Sequence, residues 1–265
     1  MLKTITLITM LSALGVFPVD STAFADDFTV VFRTSNKVSG GPAPAPDQKS
    51  TEYHSDTKIR VIKGDNDRIE DFARGRVITI DHAMKRYYDN SQQELLTAMQ
   101  EKLEAQFRAL EKIGGKTPEL ATLKAIAGAG DASIMSVKRL PSSRKILGYE
   151  CKGAVYTIRD MGTVTVWATT ALPTPKSSNV TTLSANPLLG QGFRNASEEM
   201  RRSLEGFALS IEARIEVQGR RVETVTEAVE VRREIIPPAT FAPPPGYTRG
   251  NGLPENLLAL PVKPK

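Results

Sequence analysis

Residues 207–217 read FALSIEARIEV, and the alternation in this stretch decides the fold class. Every second side chain is apolar: Phe207, Leu209, Ile211, Ala213, Ile215 and Val217. The side chains between them are polar from Ser210 onward, and Ala208 is the exception. A period of two with one apolar side predicts an antiparallel strand that buries one face and exposes the other. Residues 218–220 then turn the chain, and 222–235 return as the hairpin partner.

Similar strand signals extend outward from this hairpin along most of the chain. Residues 28–38 predict an opening strand, 51–89 a run of antiparallel hairpins, and 132–171 a second run. The stretch 40–46, GGPAPAP, predicts an extended connection. About ten strands in a single sheet would have to curl, because flat open sheets of that width are uncommon.

Helical signals interrupt the strands in a predicted insert over residues 91–130, and a short helix is predicted again from Asn195 to Leu204. Ser91 to Glu94 has the pattern of a capping box. Apolar residues then recur at steps of three and four: Leu96, Met99, Leu103, Phe107, Leu110 and Ile113. Because strands and helices come in blocks without βαβ alternation, we expect an α+β fold, with helices on one face of an antiparallel sheet.

The N-terminus has the three parts of a secretory signal peptide. Lys3 supplies the positive charge, residues 5–17 the apolar core, and Ala23-Phe24-Ala25 the cleavage site. A membrane helix is the competing interpretation, but Pro18 and Asp20 cut the apolar run short. We therefore expect cleavage after Ala25 and a soluble periplasmic protein without a transmembrane segment in the mature chain.

Composition favours an ordinary folded surface over a charged binding patch. The hydrophobic fraction of 40% is enough for a core and argues against global disorder. The net charge of +5 comes from basic and acidic residues that are interspersed along the chain. We expect no nucleic-acid partner, and solvated charges explain this composition better than a lipid-headgroup patch does.

Few residues suggest chemistry, and each has a structural explanation. Cys151 lies on a predicted strand without a nearby histidine or helix start to lower its pKa, so we expect a buried thiol. His54 and His82 are the only histidines, and no zinc-ligand spacing surrounds them. Residues 65–71 form the densest acidic cluster and are expected to be a solvated turn, since the register of a calcium loop is missing. The sequence predicts no catalytic residue, metal site or cofactor.

Several stretches together resemble a family of exported bacterial proteins of unknown function within the LolA-like group of lipoprotein carriers. They are KIRVIKGDNDRIEDF (58–72), GRVITIDHAMKRYY (75–88), ILGYECKGAVYTI (146–158), LEGFALSIEARIE (204–216) and FAPPPGYTR (241–249). The resemblance implies a curved antiparallel half-barrel with helices packed on its concave face. It implies one domain over residues 26–248, followed by an irregular tail over 249–265.

Three functions follow as hypotheses. The first is a non-enzymatic periplasmic carrier that binds a lipid, an acyl chain or a lipoprotein in the half-barrel. Its cavity would be lined by apolar residues of the helix and the strand: Leu96, Met99, Leu103, Phe207, Leu209, Ile211 and Ile215. The alternative is an interaction or sensor module that docks another envelope protein and carries nothing. An enzyme would require His54 or His82 beside a carboxylate in a polar cleft.

Export makes a direct prediction about the mature N-terminus. Protein recovered from the periplasm of an expressing bacterium should begin at Asp26, because cleavage follows Ala25. Intact-mass spectrometry measures this directly. Recovery of the full-length chain in the cytoplasm alone would contradict it, and Ala25→Leu should block processing in the matched control.

Overall fold

The computed structural model describes residues 27–39, 46–95, 97–98, 101, 108, 135–158, 162–173, 205–217 and 220–253. Twelve strands in these residues form one sheet. Their bounds are β1 Phe28–Val38, β2 Gln48–His54, β3 Lys58–Lys63, β4 Asn66–Asp71, β5 Arg76–Asp81, β6 Arg86–Ser91, β7 Met135–Ile146, β8 Tyr149–Ile158, β9 Gly162–Thr169, β10 Phe207–Val217, β11 Arg220–Arg233 and β12 Thr248–Arg249.

The opening strand β1 lies in the middle of the sheet. The order across the sheet is β12-β6-β5-β4-β3-β2-β1-β11-β10-β9-β8-β7. Strands β1 to β6 form one run in which neighbours in sequence pair antiparallel. Strands β7 to β11 form a second run of the same kind. The pairing of β1 with β11 joins the two runs. The predicted curved antiparallel sheet is therefore present, with one parallel pair between β12 and β6.

The expectation of an α+β fold with packed helices is wrong. The described residues are nearly all sheet, and no helix among them reaches seven residues. The capping box itself forms: the backbone amide of Ser91 donates to Glu94 Oε2 at 2.6 Å, and that of Glu94 to Ser91 Oγ at 3.1 Å. These hydrogen bonds lower the pKa of Glu94. Most of the helix stripe, including Leu96, Met99 and Leu103, lies outside the described residues.

The described strands have cores of their own, to which no described α-helix contributes. Buried strand side chains make three clusters, one on β8 to β10, one around β1 and the start of β10, and one around β4 and β5. Burial of apolar strand surface is the main favourable term in folding. Strand side chains therefore bury one another across a curved sheet. The sequence pattern predicts that helices would cover them instead.

The strand that decides the fold departs from simple alternation at its start. A register shift between Ala208 and Ser210 places Leu209 as an extra residue opposite β9. All residues from Gly206 to Ser210 are buried. Phe207 and Leu209 belong to the cluster around β1, whereas Ala208, Ala213 and Ile215 belong to the cluster on β8 and β9. The expected single buried face is thus divided between two clusters.

Residues after β11 cover the face of β3 to β6. Ile236 and Phe241 pack with Ile69 and Ile80. Residues 238–241 form a 3₁₀ turn, and β12 adds two residues beside β6. The proline-rich residues 237–247 are therefore fixed against the sheet by apolar contacts and by β12.

The start of β10 depends on a glycine. Gly206 has φ +104°, and a Cβ there would lie 2.2 Å from the carbonyl oxygen of Thr169. Gly64 also has positive φ, +56°, but nothing lies within 4 Å of its Cβ position. Gly64→Ala should cost about 1 kcal/mol for the left-handed backbone alone. Gly206→Ala should cost about 3 kcal/mol or more, because collision adds to the backbone strain.

Urea denaturation followed by Trp167 fluorescence measures both variants against the wild type. Equal losses of unfolding free energy in the two variants would contradict the close approach of Gly206 to β9.

Candidate functional site

The edge strand β7 reaches back over β10 and β11. Arg144 on β7 pairs with Glu212 on β10 at 3.0 Å, and also with Glu227 on β11. In the order of the sheet, β7 lies four strands from β11. Four strand spacings in a flat sheet amount to about 19 Å, more than an arginine side chain can span. The sheet is therefore curled at this end, and we name these two ion pairs the Arg144 latch.

Curling creates a groove between the tip of the β7–β8 hairpin and β11. Six residues line it: Leu147, Gly148, Tyr149, Val229, Glu230 and Val231. Its volume is about 520 Å³, and it is open to solvent on one side. A register shift in β11 makes Val229 an extra residue opposite β1, so a bulge forms one wall. We call this the tip groove.

Leu147 in the tip groove holds an unusual conformation. Ile146 pairs with Tyr149, so Leu147 and Gly148 form a two-residue turn, with φ of +50° and +85°. Such turns favour Asn-Gly, because a bulky side chain is strained at positive φ. Leu147 is also 47% exposed. An exposed apolar residue in a strained turn suggests a functional constraint at this position.

A cluster of rings lies beneath the tip groove, formed by Phe28, Phe32, His54 and Phe207; we call it the aromatic cluster. Phe28 and His54 stack with centroids 4.6 Å apart, and Phe207 meets them edge-on at 5.2 and 4.9 Å. Tyr149 and Val231 from the groove pack against the core that contains Phe28 and Phe207. The tip groove and the aromatic cluster are therefore contiguous.

The four predicted lining residues that the structure describes fall into two clusters. Phe207 and Leu209 lie in the core of the aromatic cluster. Ile215 is buried in the other β-sheet cluster, and Ile211 packs against that cluster. Leu96, Met99 and Leu103 lie outside the described residues. Only Phe207 and Leu209 are near the tip groove, which the sequence analysis missed although its Leu-Gly turn stands in a quoted motif.

A second polar site lies at the other end of the sheet, around Asp67. This carboxylate is buried and accepts hydrogen bonds from Arg60 Nε at 2.9 Å and Nη2 at 2.5 Å. His82 Nε2 lies 3.1 Å from Asp67 Oδ2, and its Nδ1 lies 2.9 Å from the hydroxyl of Tyr247. Arg60 Nη1 also donates to the carbonyl oxygen of Thr240.

This network fastens the residues after β11 to the sheet. Thr240 and Tyr247 lie in that segment, whereas Arg60, Asp67 and His82 belong to β3, β4 and the turn after β5. The expectation of a solvated acidic turn is wrong for Asp67, since a buried carboxylate requires paired donors. A sequence shows the acidic cluster, but it does not show that Arg60 faces it across the β3–β4 pair.

Both histidines lie beside carboxylates, so neither is isolated. His54 Nε2 is 3.0 Å from Glu52 Oε2, with His54 fully buried. His82 contacts Asp67, and its remaining nitrogen is occupied by Tyr247. Within the described residues, no group of three histidine, cysteine or acidic side chains could hold a metal ion. None of the described helices has the length and apolar character needed to cross a membrane.

Cys151 is buried in the core next to the tip groove. Burial raises the pKa of its thiol, and this outweighs the opposite effects of a hydrogen bond at Ile146 and the charge of Arg144. A thiol with a raised pKa is a poor nucleophile at neutral pH. The expected buried structural thiol is confirmed.

Alkylation tests this placement of Cys151. At pH 8 iodoacetamide should label the folded protein roughly a hundredfold more slowly than the urea-unfolded chain, because the thiol is covered and protonated. Quenched mass spectrometry gives both rates. Equal rates in the two states would contradict a buried thiol.

Comparison with known proteins finds similar solved structures but no matching sequence family. No protein-family model and no curated protein matches the sequence. Similar solved structures include PNGF-II, at 14% identity and TM-score 0.42, covering 88% of this chain and 33% of that one. An uncharacterized conserved protein from Thermus thermophilus has 7% identity and TM-score 0.42, covering 92% and 98%. A LolA superfamily protein from Nitrosomonas europaea has 10% identity and TM-score 0.33, covering 89% and 96%. The chain thus spans a third of the length of PNGF-II.

Proposed function

We propose that this chain is a non-enzymatic periplasmic binding module that holds the apolar chain of a lipid or lipoprotein. The apolar chain occupies the tip groove and extends toward the aromatic cluster. The contact between these two features carries the proposal, since Tyr149 and Val231 line the groove and pack against the core that contains Phe28 and Phe207. The groove has a volume of about 520 Å³ and is open to solvent, so a ligand there is only partly covered.

Apolar contacts supply the affinity of such a site. Each buried methylene of an acyl chain contributes about 0.8 kcal/mol. The walls of the groove offer Leu147, Val229 and Val231, with the ring of Tyr149 between them and the aromatic cluster.

The Arg144 latch contributes little to holding the hairpin in place. The side chains of Arg144, Glu212 and Glu227 are 37%, 26% and 30% exposed. Ion pairs at this degree of exposure contribute little to stability because solvent screens them. The hairpin is therefore held mainly by the burial of Ile146 and Cys151, and its exposed tip residues Leu147 and Gly148 are the part that a ligand can displace at low cost.

A second candidate function rests on the open side of the tip groove. The groove is not enclosed, and Leu147 presents an apolar surface at its rim. An apolar side chain of another envelope protein would fit there, in a module that docks a partner and carries no lipid. Crosslinking in cells separates the two, because a docking module gives one stable partner and a carrier gives many transient ones.

Substitution of Leu147 separates a role in ligand binding from a role in the turn alone. Leu147→Asn should raise the free energy of unfolding by about 1 kcal/mol, because asparagine tolerates positive φ better than leucine. The same change should weaken binding of the fluorescent apolar probe 1-N-phenylnaphthylamine about fivefold or more, through the loss of one apolar wall. Urea denaturation and fluorescence titration measure the two effects.

Met84→Asn is the matched control. Met84 is 49% exposed in the turn between β5 and β6, at the other end of the sheet, and the variant should bind the probe as the wild type does. Equal probe binding by all three proteins would contradict the site. Failure of wild-type protein to bind the probe, with no lipid extracted from protein purified from a native periplasm, would contradict the function.

A further inference from the structure

We propose that the outer edge of β7 binds an extended acidic segment of another protein, which pairs with it as an additional strand. This surface is separate from the tip groove, and the inference does not rest on the proposed function. Among the described strands, only β8 pairs with β7, so the other long side of β7 has no described strand beside it. A strand at the edge of a sheet presents backbone N–H and C=O groups that can pair with another chain.

The shape of β7 shows which part of its edge can take a partner. The strand runs over Met135–Ile146 and has 12 residues, whereas edge strands are commonly kept short. A register shift between Arg139 and Ser143 divides its pairing with β8 into two straight parts. Residues 143–146 lead into the tip groove, and residues 135–139 lie at the opposite end of the strand. We call residues 135–139 the outer arm.

The charge of β7 selects the kind of strand that can pair with it. The strand contains Lys138, Arg139, Arg144 and Lys145 and no acidic residue. Lys138 and Arg139 belong to the outer arm and are exposed. Opposite charges on paired strands stabilise the pair, and like charges directly opposite each other destabilise it. An acidic segment is therefore favoured over a second copy of β7.

Val137 gives the partner an apolar component. Side chains alternate along a strand, so Val137 and Lys138 lie on opposite faces of the outer arm. Val137 is partly buried and packs against the core cluster that contains Tyr156 and Val164. Because this core extends to the edge strand, an apolar side chain on an added strand would continue it. The best partner thus alternates acidic residues, opposite Lys138, with apolar residues beside Val137.

Lysine and proline on an edge strand also serve to prevent pairing between identical copies. Pro141 lacks a backbone N–H, but it lies between Arg139 and Ser143, outside the outer arm. Lys138 repels a basic strand and attracts an acidic one. These two residues therefore oppose self-association and leave the outer arm open to an acidic partner.

The experiment uses two fluorescein-labelled peptides, one of alternating glutamate and valine and one of alternating lysine and valine. Fluorescence anisotropy at low salt should show that the wild-type protein binds the glutamate peptide about tenfold more tightly. In hydrogen exchange, the glutamate peptide should slow exchange of amides in residues 135–139. Exchange in residues 147–149 and 229–231 should not change.

Two charge reversals locate the effect. Lys138→Glu should weaken binding of the glutamate peptide about tenfold and strengthen binding of the lysine peptide. Lys49→Glu is the matched control, because it makes the same change in net charge at an exposed lysine of β2, an interior strand of the sheet. This control should bind both peptides as the wild type does, within about twofold.

Every other result would overturn the proposal. Equal binding of the two peptides by the wild type would remove its charge basis, and equal losses in Lys138→Glu and Lys49→Glu would show attraction to net charge alone. Protection of residues 147–149 and 229–231 in place of 135–139 would make the tip groove the docking surface. A concentration-dependent dimer that the glutamate peptide dissociates would assign the edge to a second copy. Binding of 1-N-phenylnaphthylamine should be the same in all these variants, so failure here leaves the proposed function intact.

Discussion

The curl of the sheet, which the ion pairs of Arg144 with Glu212 and Glu227 reveal, is the constraint on which the described features of this end depend. These ion pairs join the edge strand β7 to two strands that a flat sheet would place far away. Because the sheet curls, Ile146 and Cys151 pack in the same core as Phe28 and Val30. The same curl places Leu147 and Tyr149 opposite the bulge in β11, and so creates the tip groove.

The two ends of the sheet are covered in different ways. Around the tip groove, partly exposed ion pairs hold a hairpin over a core, and such contacts open at low cost. Around Asp67, a buried carboxylate is held by the fork of Arg60 and by His82. Breaking one partner of a buried pair is expensive.

Local patterns in the sequence predicted the strands and failed on the contacts between distant strands. The alternation of Phe28, Val30 and Phe32 predicted β1, and Ser91 with Glu94 predicted a capping box that forms. The α+β assignment was wrong because apolar periodicity shows that a face is buried and does not show what covers it. The family of unknown function found from short motifs has no supporting family model.

Most of the tip groove could not be predicted either, because it is formed by strands that are distant in the sequence. Phe207 and Leu209 were found because strand alternation marks them, but a bulge at Leu209 separates them from Ile211 and Ile215. No local pattern places Arg144 beside Glu227, since that contact depends on the curl of five strands. Leu147 did carry a signal, because leucine followed by glycine in a two-residue turn contradicts the preference for asparagine.

The curl of the sheet is the central claim, and nuclear Overhauser spectroscopy tests it most directly. In protein with labelled isoleucine, valine and aromatic side chains, Ile146 and Tyr149 should show cross-peaks to Phe28, Val30 or Val231, because these side chains share one core. A sheet that retains the pairing of β7 with β8 and of β10 with β11, but lacks every cross-peak from the hairpin tip to β1 and β11, would contradict the account.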